Sequence, residues 1–379
     1  MSPHPIWAEI DLSAIAYNVS ELRRISSSAA RFMAVVKANG YGHGAEAVAR
    51  TALKNGADCL ALARIDEAVA LRTADIDAPM LVFGYTPPER AEDLLEHDLT
   101  QTVFSPEAAR DLSDAAGALG RSVRVHLKVD TGMGRVGLLA VGGEDAFREA
   151  EDIIGLPGLD VEGIYTHFAT ADSADKKLAR KQLSRFMAFT GALKKRGLAI
   201  PIRHAANSAA VIDMPESHLE MVRPGISLYG LYPSDEVKKK RIALRPAMTL
   251  KARIVQLKEV PEGYTISYGA TYTAPAPTRI ATIPVGYADG FNRLLSNQWS
   301  MLVRGVRAPI VGRVCMDSTM IDVSNVPDVQ AGDEVAVFGG DAEDAVTVDE
   351  VAEMLGTINY EVVSTVMARA PRVYVGEMT

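Results

Sequence analysis

Residues 33–44 read MAVVKANGYGHG, a short apolar run that ends in a lysine and is followed by a turn rich in glycine. The apolar run is long enough only for a buried strand, and the glycines end the strand and let the backbone approach a ligand. Lys37 is therefore predicted at the carboxyl end of a strand. An amine at the edge of an apolar site has a lowered pKa and can form a Schiff base with a carbonyl group. For an isolated lysine, a side chain that simply reaches solvent is the simpler interpretation.

Eight short apolar runs alternate with helix-like segments between residue 33 and about residue 230. The runs are MAVV (33–36), CLALA (59–63), MLVF (80–83), LTQTVF (99–104), VRVHLKV (123–129), VEGIYT (161–166), IRHAA (202–206) and LEMV (219–222). Their content of Val, Ile and Leu is typical of buried parallel strands. Eight β/α repeats predict an α/β fold with a (β/α)8 TIM-type barrel, with a doubly wound sheet as the alternative.

The chain changes character after about residue 240. At 379 residues it is too long for one ordinary core, which favours two domains. Closely spaced strands separated by Gly, Pro and Asp predict a mainly-β domain over residues 241–379, after a barrel domain over residues 1–240. The boundary is placed in the polar stretch 234–241. The strand-like segment 5–11 is counted with the barrel, with membership of the β domain as the alternative.

The composition of the chain argues against a nucleic-acid-binding protein and against a membrane protein. Hydrophobic residues make up 48% of the chain, charged residues 23%, and the formal net charge is −8, which argues against a nucleic-acid partner. No apolar stretch approaches the roughly 20 residues that span a bilayer, and the first residues lack the features of a signal peptide. We therefore expect a cytoplasmic protein without a membrane partner. Cys59 and Cys315 show no metal-ligand spacing, so no metal site is expected.

Polar side chains follow the predicted strands, at the ends that meet at one mouth of a barrel. They are Lys37, Tyr41, Lys128, Arg135, His167, Ser208 and Arg223. The loops after the seventh and eighth strands of such barrels commonly bind phosphate. The N–H groups of Gly225 and Ile226 and the hydroxyl of Ser208 are the predicted donors. The alternative is that Asn207 and Ser208 only cap the helix that follows them.

A Schiff-base lysine together with a phosphate site predicts an aldehyde that carries a phosphate, and pyridoxal 5'-phosphate is the obvious cofactor. Arg223 then limits the chemistry. An arginine cannot give up its proton, so a pyridine nitrogen that faces Arg223 stays a neutral acceptor and a weaker electron sink. Decarboxylation, transamination and elimination are suppressed, while a proton can still leave and return. The alternative is that Arg223 pairs with a carboxylate such as that of Glu220.

Nine motifs extend over essentially the whole chain: AVVKANGYGHG, KVDTGMGRVG, THFATAD, ANSAA, VRPGISLYG, SYGATY, PVGYADG, GRVCMD and INYEV. Through these motifs the sequence resembles the alanine racemases, pyridoxal phosphate enzymes of fold type III with a barrel and a β domain. The resemblance implies that Lys37 holds the cofactor and is one acid/base. It also implies that Tyr268 is the other and reaches in from the second subunit of a homodimer.

The resemblance implies further site residues. Those at the phosphate are Tyr41, Ser208, Gly225, Ile226 and Tyr360, with Arg223 at the pyridine nitrogen. Those near the substrate are Arg135 at its carboxylate, His167 in contact with the catalytic tyrosine, and Met316 and Tyr287 at the border of the pocket. Lys128 is the candidate for a carbamylated lysine that orients Arg135.

Two bases on opposite faces of a planar intermediate are what inversion at Cα requires. Together with the resemblance, this predicts the interconversion of L-alanine and D-alanine, and the resemblance implies that the D-alanine supplies peptidoglycan synthesis. A tyrosine acting near neutral pH needs about 4 kcal/mol of preferential stabilisation of its phenolate, and Arg135 and His167 are the available donors.

Three alternatives remain. A racemase of broader specificity would also accept serine or lysine. A decarboxylase of fold type III would be expected to offer a carboxylate to the pyridine nitrogen, and Arg223 argues against it. A non-catalytic protein that carries the cofactor is a third, and the β domain with its Tyr268 motif argues against that.

Overall fold

The computed structural model describes residues 3–339 and 345–376. Its strands are β1 (Ile6–Asp11), β2 (Arg31–Val35), β3 (Cys59–Leu62), β4 (Met80–Val82), β5 (Thr100–Val103), β6 (Val123–Asp130), β7 (Leu138–Leu139), β8 (Leu159–Tyr165), β9 (Ile202–His204), β10 (Met221–Val222), β11 (Met248–Arg253), β12 (Gln256–Val260), β13 (Thr265–Ile266), β14 (Tyr272–Thr273), β15 (Thr278–Ile283), β16 (Ser300–Val303), β17 (Val306–Pro309), β18 (Thr319–Asp322), β19 (Glu334–Gly339) and β20 (Arg372–Val375). Its α-helices are α1 (Leu12–Ile25), α2 (Ala45–Lys54), α3 (Ile65–Thr73), α4 (Ala91–Glu96), α5 (Pro106–Ala118), α6 (Glu144–Ile154), α7 (Lys177–Lys195), α8 (Ser208–Asp213), α9 (Val348–Leu355) and α10 (Asn359–Ser364).

Contacts divide the described residues into two units. The barrel unit consists of residues 15–40 and 45–244. The β unit consists of residues 3–14, 41–44, 245–339 and 345–376. No helix in the described part of the chain is both long and apolar enough to cross a membrane.

Eight parallel strands form a closed ring in the barrel unit. Their order is β2, β3, β4, β5, β6, β8, β9 and β10, and β10 pairs with β2. Each of the eight predicted apolar runs overlaps one of these strands. The predicted (β/α)8 barrel is confirmed, and the doubly wound alternative is wrong because an open sheet would leave two unpaired edge strands.

Polar side chains occupy part of the barrel core. His126 on β6 and His204 on β9 are both buried. The pairing of β6 with β8 shifts register between Val125 and His126. Gly163 of β8 lies opposite, and a Cβ atom at this glycine would be only 2.5 Å from the His126 ring. Gly163 therefore provides the space in which the His126 ring lies.

A six-stranded sheet dominates the β unit, in the order β17, β16, β19, β11, β1 and β20. A three-stranded sheet of β12, β15 and β18 and the short hairpin of β13 and β14 complete it. Strand β1 pairs antiparallel with β11 and parallel with β20, so the N-terminal strand belongs to this sheet. Buried and partly exposed residues alternate along β11, the period-two pattern of a strand with one covered face.

The two helices of the β unit begin and end where the sequence carries the corresponding signals. The Thr347 hydroxyl accepts the Glu350 N–H at 3.1 Å, and the Glu350 carboxylate accepts the Thr347 N–H at 2.7 Å, a reciprocal cap at the start of α9. Gly356 ends the helix with a left-handed backbone. The mainly-β character of this part of the chain is confirmed, and the structure adds two helices near its C-terminal end.

We expect Gly163→Ala to destabilise the protein by about 1–3 kcal/mol, because the added methyl group overlaps a buried ring that cannot move freely. Gly191→Ala is the matched control. Gly191 lies inside α7, and a Cβ atom there would have no other atom within 4 Å, so the same change should stabilise the helix by about 0.5–1 kcal/mol. The midpoints of urea unfolding of the two variants and the wild type test this. Equal midpoints for the two variants would contradict it.

Candidate active site

Lys37 follows β2 and begins a turn with a left-handed backbone. Residues 38–41 have φ values between 49° and 61°. A left-handed backbone costs about 1–2 kcal/mol at each non-glycine residue, so other contacts must hold the turn. The Ala38 N–H donates to Glu67 Oε1 at 2.6 Å, and Asn39 Oδ1 accepts the first N–H of α2 at 3.0 Å. These two bonds fix the turn that presents Lys37.

The amine of Lys37 has a lowered pKa. Burial is the main cause, the nearby charge of Arg135 adds to it, and the carboxylate of Glu67 opposes it. A lowered pKa is what an amine needs in order to act as a nucleophile or a base near neutral pH. Glu67 was not singled out from the sequence, although an acidic residue in the first turn of a helix is the usual signal of N-terminal capping.

Ser208 connects two loops at the carboxyl ends of β9 and β10. Its Oγ accepts the Gly225 N–H at 2.8 Å and lies 3.4 Å from the Ser227 nitrogen. The Gly225 N–H is therefore already paired, whereas the hydroxyl proton of Ser208 can still be donated. Asn207 alone caps α8, because its Oδ1 accepts the Ala210 N–H at 3.1 Å. Ser208, the other residue suggested as a cap, instead links the two loops through its hydroxyl group.

Two hydrogen bonds attach the loop after β10 to the end of β2. The Val35 N–H donates to Pro224 O at 3.1 Å, and the Tyr229 hydroxyl donates to Val35 O at 2.9 Å. Val35 is two residues before Lys37, so these bonds set the position of the loop relative to the lysine. Tyr229 was missed from the sequence because a fully buried tyrosine resembles ordinary core packing.

Arg223 is buried, with 4% of its surface exposed. Its Nη1 donates to His204 Nδ1 at 2.8 Å, and its Nη2 donates to Thr166 O at 2.8 Å and Ala205 O at 3.2 Å. Burial lowers the pKa of Arg223 to about 10, which leaves the guanidinium protonated near neutral pH. The suggested pairing with Glu220 is wrong: the carboxylate of Glu220 is bound by Arg203 at 2.6 Å.

Tyr165 lies beneath the cationic groups. The Lys128 ammonium nitrogen is 5.4 Å and the Arg223 Cζ 5.1 Å from the centre of its ring, both within the range of cation–π attraction. The ring stacks on His204 with centroids 4.7 Å apart and 9° between the planes. Its hydroxyl is 3.0 Å from Thr102 Oγ1. Tyr165 was also missed from the sequence, because it lies within an apolar run that was predicted to be a strand.

Lys128 is buried, and its pKa is lowered to about 7. Burial is the main cause, followed by the charge of Arg223, while Asp130 opposes the shift. The Lys128 nitrogen donates to Val129 O at 3.0 Å. A lysine of this kind is largely uncharged at mildly alkaline pH.

Asp130 shapes the loop that carries Arg135. Its Oδ1 accepts the N–H groups of Gly132 at 2.8 Å and Met133 at 2.9 Å, and its Oδ2 accepts that of Gly134 at 2.9 Å. Burial raises the pKa of Asp130, but these three N–H groups outweigh that effect and leave the pKa lowered. The carboxylate therefore stays ionised, and the exposed Arg135 extends from a loop with a defined backbone.

His167 has a pKa well below its ordinary value. Burial is the main cause, and the charges of Arg223, Arg135, Lys128 and Lys37 add to it. The imidazole is therefore neutral near neutral pH. Four other predicted site residues of the barrel unit thus lie close enough to His167 for their charges to act on it.

Three predicted residues of the β unit are exposed: 71% of Tyr268, 41% of Tyr287 and 53% of Met316. Ser267 on one side of Tyr268 has φ 65°, and residues 269–270 on the other side also have positive φ. The Ser267 hydroxyl donates to Arg313 O at 2.6 Å, which fastens this turn to the loop that contains Met316.

Backbone hydrogen bonds connect the loop that contains Met316 to the segment that contains Tyr287. The Tyr287 N–H donates to Cys315 O at 3.1 Å, and the next N–H donates to Met316 O at 3.1 Å. The β unit thus carries the three exposed residues of the predicted site on connected loops. It also brings together the two tyrosines predicted at the phosphate, Tyr41 and Tyr360, with ring centroids 6.2 Å apart.

Lys128→Met should stabilise the cofactor-free protein, and the gain should depend on pH. The pKa of Lys128 is about 7 in the folded protein, below the 10.5 of a solvated lysine, so the unfolded chain binds more protons between these values. The cost of burying this lysine is therefore greatest below pH 7 and fades toward pH 10.5. We expect a larger rise in thermal midpoint at pH 6 than at pH 9.5, in bicarbonate-free buffer.

Lys195→Met is the control for this measurement, because Lys195 is exposed at the end of α7. A gain for Lys128→Met that is the same at both pH values would contradict the lowered pKa.

Comparisons with known proteins identify the family. A family model described as alanine racemase, N-terminal domain, matches residues 10–233, and one described as alanine racemase, C-terminal domain, matches residues 247–374. The alanine racemase of Desulfosudis oleivorans is 53% identical over 380 residues, which cover 99% of this chain and 97% of that protein. A solved alanine racemase of Clostridium difficile 630 has a TM-score of 0.94 at 42% identity and covers 99% of this chain and 97% of its own. One of Bacillus anthracis with bound L-Ala-P has a TM-score of 0.93 at 37% identity and covers 100% and 97%. This chain therefore belongs to the alanine racemase family, isomerases that act on amino acids.

Proposed function

We propose that this protein interconverts L-alanine and D-alanine with pyridoxal phosphate, and that Lys37 and Tyr268 are its two acid/base residues. Pyridoxal phosphate is the cofactor of the alanine racemase family. The observation that carries the proposal is the environment of Arg223: a buried guanidinium bound by an imidazole and two carbonyl groups, in the same unit as a lysine of lowered pKa.

The residues of the barrel unit fit the cofactor group by group. The Lys37 amine suits its aldehyde, the Ser208 hydroxyl and the Ile226 N–H suit its phosphate, and the Arg223 guanidinium suits its pyridine nitrogen. The Gly225 N–H supports this site indirectly, because it holds Ser208 Oγ. Tyr41 and Tyr360, which lie close together in the β unit, are proposed as further phosphate ligands. When bound, the cofactor withdraws electrons from Cα and makes its proton acidic.

Arg223 favours racemisation over the other reactions of this cofactor. A guanidinium only donates hydrogen bonds and does not release its proton, so it leaves a facing pyridine nitrogen unprotonated. A decarboxylase would instead be expected to place a carboxylate there. Glu220, the acidic residue nearest in sequence, is occupied by Arg203. The decarboxylase alternative is therefore disfavoured.

The remaining polar residues are proposed to handle the substrate and the second proton. Arg135 binds the carboxylate of alanine, and its loop is kept in shape by Asp130. Arg135 and the neutral His167 provide the donors that stabilise the phenolate of Tyr268. Lys37 holds or releases a proton on one face of the substrate, and Tyr268 does so on the other, which is the arrangement that inversion requires.

Tyr268 is proposed to act in the barrel of the partner subunit of a homodimer. Three large side chains, those of Tyr268, Tyr287 and Met316, are exposed in the isolated chain, and local hydrogen bonds hold the loops that carry them. Packing against a second copy would bury them, and their bulk would favour a substrate as small as alanine. We further propose a cytoplasmic enzyme whose D-alanine enters peptidoglycan synthesis.

Lys128 is proposed to be carbamylated. Its uncharged amine can add to carbon dioxide with loss of one proton, a reaction that the lowered pKa of this lysine favours. The resulting negative charge would lie near Arg223 and Arg135, two cations that otherwise repel a protonated lysine. Arg135 would thereby be held in place.

The reaction is tested with purified protein, pyridoxal phosphate and L-alanine in deuterated water. We expect optical rotation to fall to zero while deuterium enters at Cα. Serine and lysine serve as comparison substrates. Faster exchange with either of them than with alanine would contradict the proposed substrate, and release of carbon dioxide would favour the decarboxylase.

Tyr268→Phe separates the two bases. Because the equilibrium constant between the enantiomers is 1, loss of one base must lower kcat/KM for racemisation equally in both directions, here by about 10²- to 10⁴-fold. Exchange of the Cα proton without inversion should persist for the enantiomer served by Lys37, which we propose to be D-alanine, and be lost for L-alanine. Tyr264→Phe, an exposed tyrosine of the same unit, is the control. Equal residual exchange for both enantiomers would remove Tyr268 from this role.

A further inference from the structure

A line of polar side chains passes through the barrel core and ends at Arg223. Arg223 Nη1 is 2.8 Å from His204 Nδ1, and His204 Nε2 is 2.8 Å from His126 Nδ1. His126 Nε2 in turn is 3.4 Å from Glu162 Oε1. Glu162 is partly exposed and also accepts the Thr100 hydroxyl at 3.0 Å. The line thus connects a solvent-accessible carboxylate with the buried guanidinium.

The two ends of this line determine where the protons lie. A guanidinium only donates, so His204 Nδ1 is an acceptor, and the proton of the neutral ring is on Nε2. That proton is donated to His126 Nδ1, which leaves the proton of His126 on Nε2, facing Glu162. A carboxylate only accepts, so it favours this same tautomer. The pKa of each histidine is lowered, chiefly by burial, so both rings are neutral near neutral pH.

The surrounding structure holds both rings in this alignment. His204 is stacked on Tyr165, and its ring meets that of His126 edge-on with centroids 4.9 Å apart. The register shift in β6 and the missing side chain at Gly163 make room for His126. The register shift and the glycine are separate backbone features, and both accommodate the His126 ring.

These contacts also account for three of the five N–H groups of Arg223. Two are donated to Thr166 O and Ala205 O, and one to His204. The other two have no acceptor among the residues that the structure describes, and they can donate to a ligand. If His204 carried its proton on Nδ1 instead, that N–H would face the Arg223 N–H and the guanidinium would have to rotate away.

We propose that Glu162, His126 and His204 are positioning residues that fix the histidine tautomers and thereby the orientation of the Arg223 guanidinium toward the cofactor. The part of this inference that concerns the cofactor rests on the proposed function, whereas the tautomers do not. Glu162 is connected to Arg223 only through the two histidines.

Glu162→Gln tests the proposal because its amide can present either an oxygen or an N–H₂ group to His126. The Gln side chain no longer selects one tautomer from the outer end of the line, although its size is unchanged. Only the contact with Arg223 then favours the Nε2 protons, and we propose that this contact alone does not hold one tautomer. Asp160→Asn is the matched control, since Asp160 is an exposed carboxylate on the same strand, outside the line. Tautomers are read from ¹⁵N spectra of histidine-labelled protein, with and without pyridoxal phosphate.

We expect both His126 and His204 to carry their proton on Nε2 in the wild type and in Asp160→Asn, and a mixture of tautomers in Glu162→Gln. In the loaded enzyme, kcat/KM for alanine should fall about 10-fold in Glu162→Gln, as for loss of other outer-shell partners. The ¹⁵N shift of the pyridine nitrogen should change in the same variant and stay constant in Asp160→Asn.

Wild-type tautomers in Glu162→Gln, or an Nδ1 proton on His204 in the wild type, would overturn the proposal. Glu162→Leu provides a second variant that lacks hydrogen bonding altogether and should also give mixed tautomers. Correct tautomers in a wild-type protein that does not racemise alanine would instead contradict the proposed function and leave the line of hydrogen bonds intact.

Discussion

The pairing of β10 with β2 is the interaction on which the site depends. It closes the ring of eight strands and makes the ends of these two strands neighbours, so that Lys37 and Arg223 follow adjacent strands. The bonds from Val35 to Pro224 and from Tyr229 to Val35 continue this pairing beyond the strands. Without them, the lysine and the loop next to Ser208 would be positioned independently.

Closure of the ring also places several cationic side chains near one another at the carboxyl ends of the barrel strands. Several cations are brought close together, and the pKa values of Lys37, Lys128 and His167 are all lowered by burial and by neighbouring positive charges. The positive charges of this site would stabilise a negatively charged group that binds among them. A phosphate, a substrate carboxylate and a carbamate on Lys128 would each be such a group, so that ligand binding and electrostatic relief coincide.

Sequence patterns predicted the main elements of both units, because each barrel strand is a short apolar run and the strands of the β unit are punctuated by turn residues. The predicted residues Lys37, Lys128, Arg135 and Arg223 all lower the pKa of His167, which is a fifth predicted residue of the barrel unit. Glu67, Tyr165, Tyr229 and His204 were missed. Each supports a site residue from a capping position or from the core, where its local pattern is that of ordinary structure.

The sequence by itself determined the fold class, the presence of an amine at a strand end and, through its ordered motifs, the family. These properties depend on local periodicity and on residue identity. Only the tertiary structure decided that Arg223 is bound by His204 and not by Glu220, that Ser208 joins two loops, and that Gly163 makes room for His126. These are contacts between different strands of a closed ring, and their geometry depends on register, which no local pattern in the chain specifies.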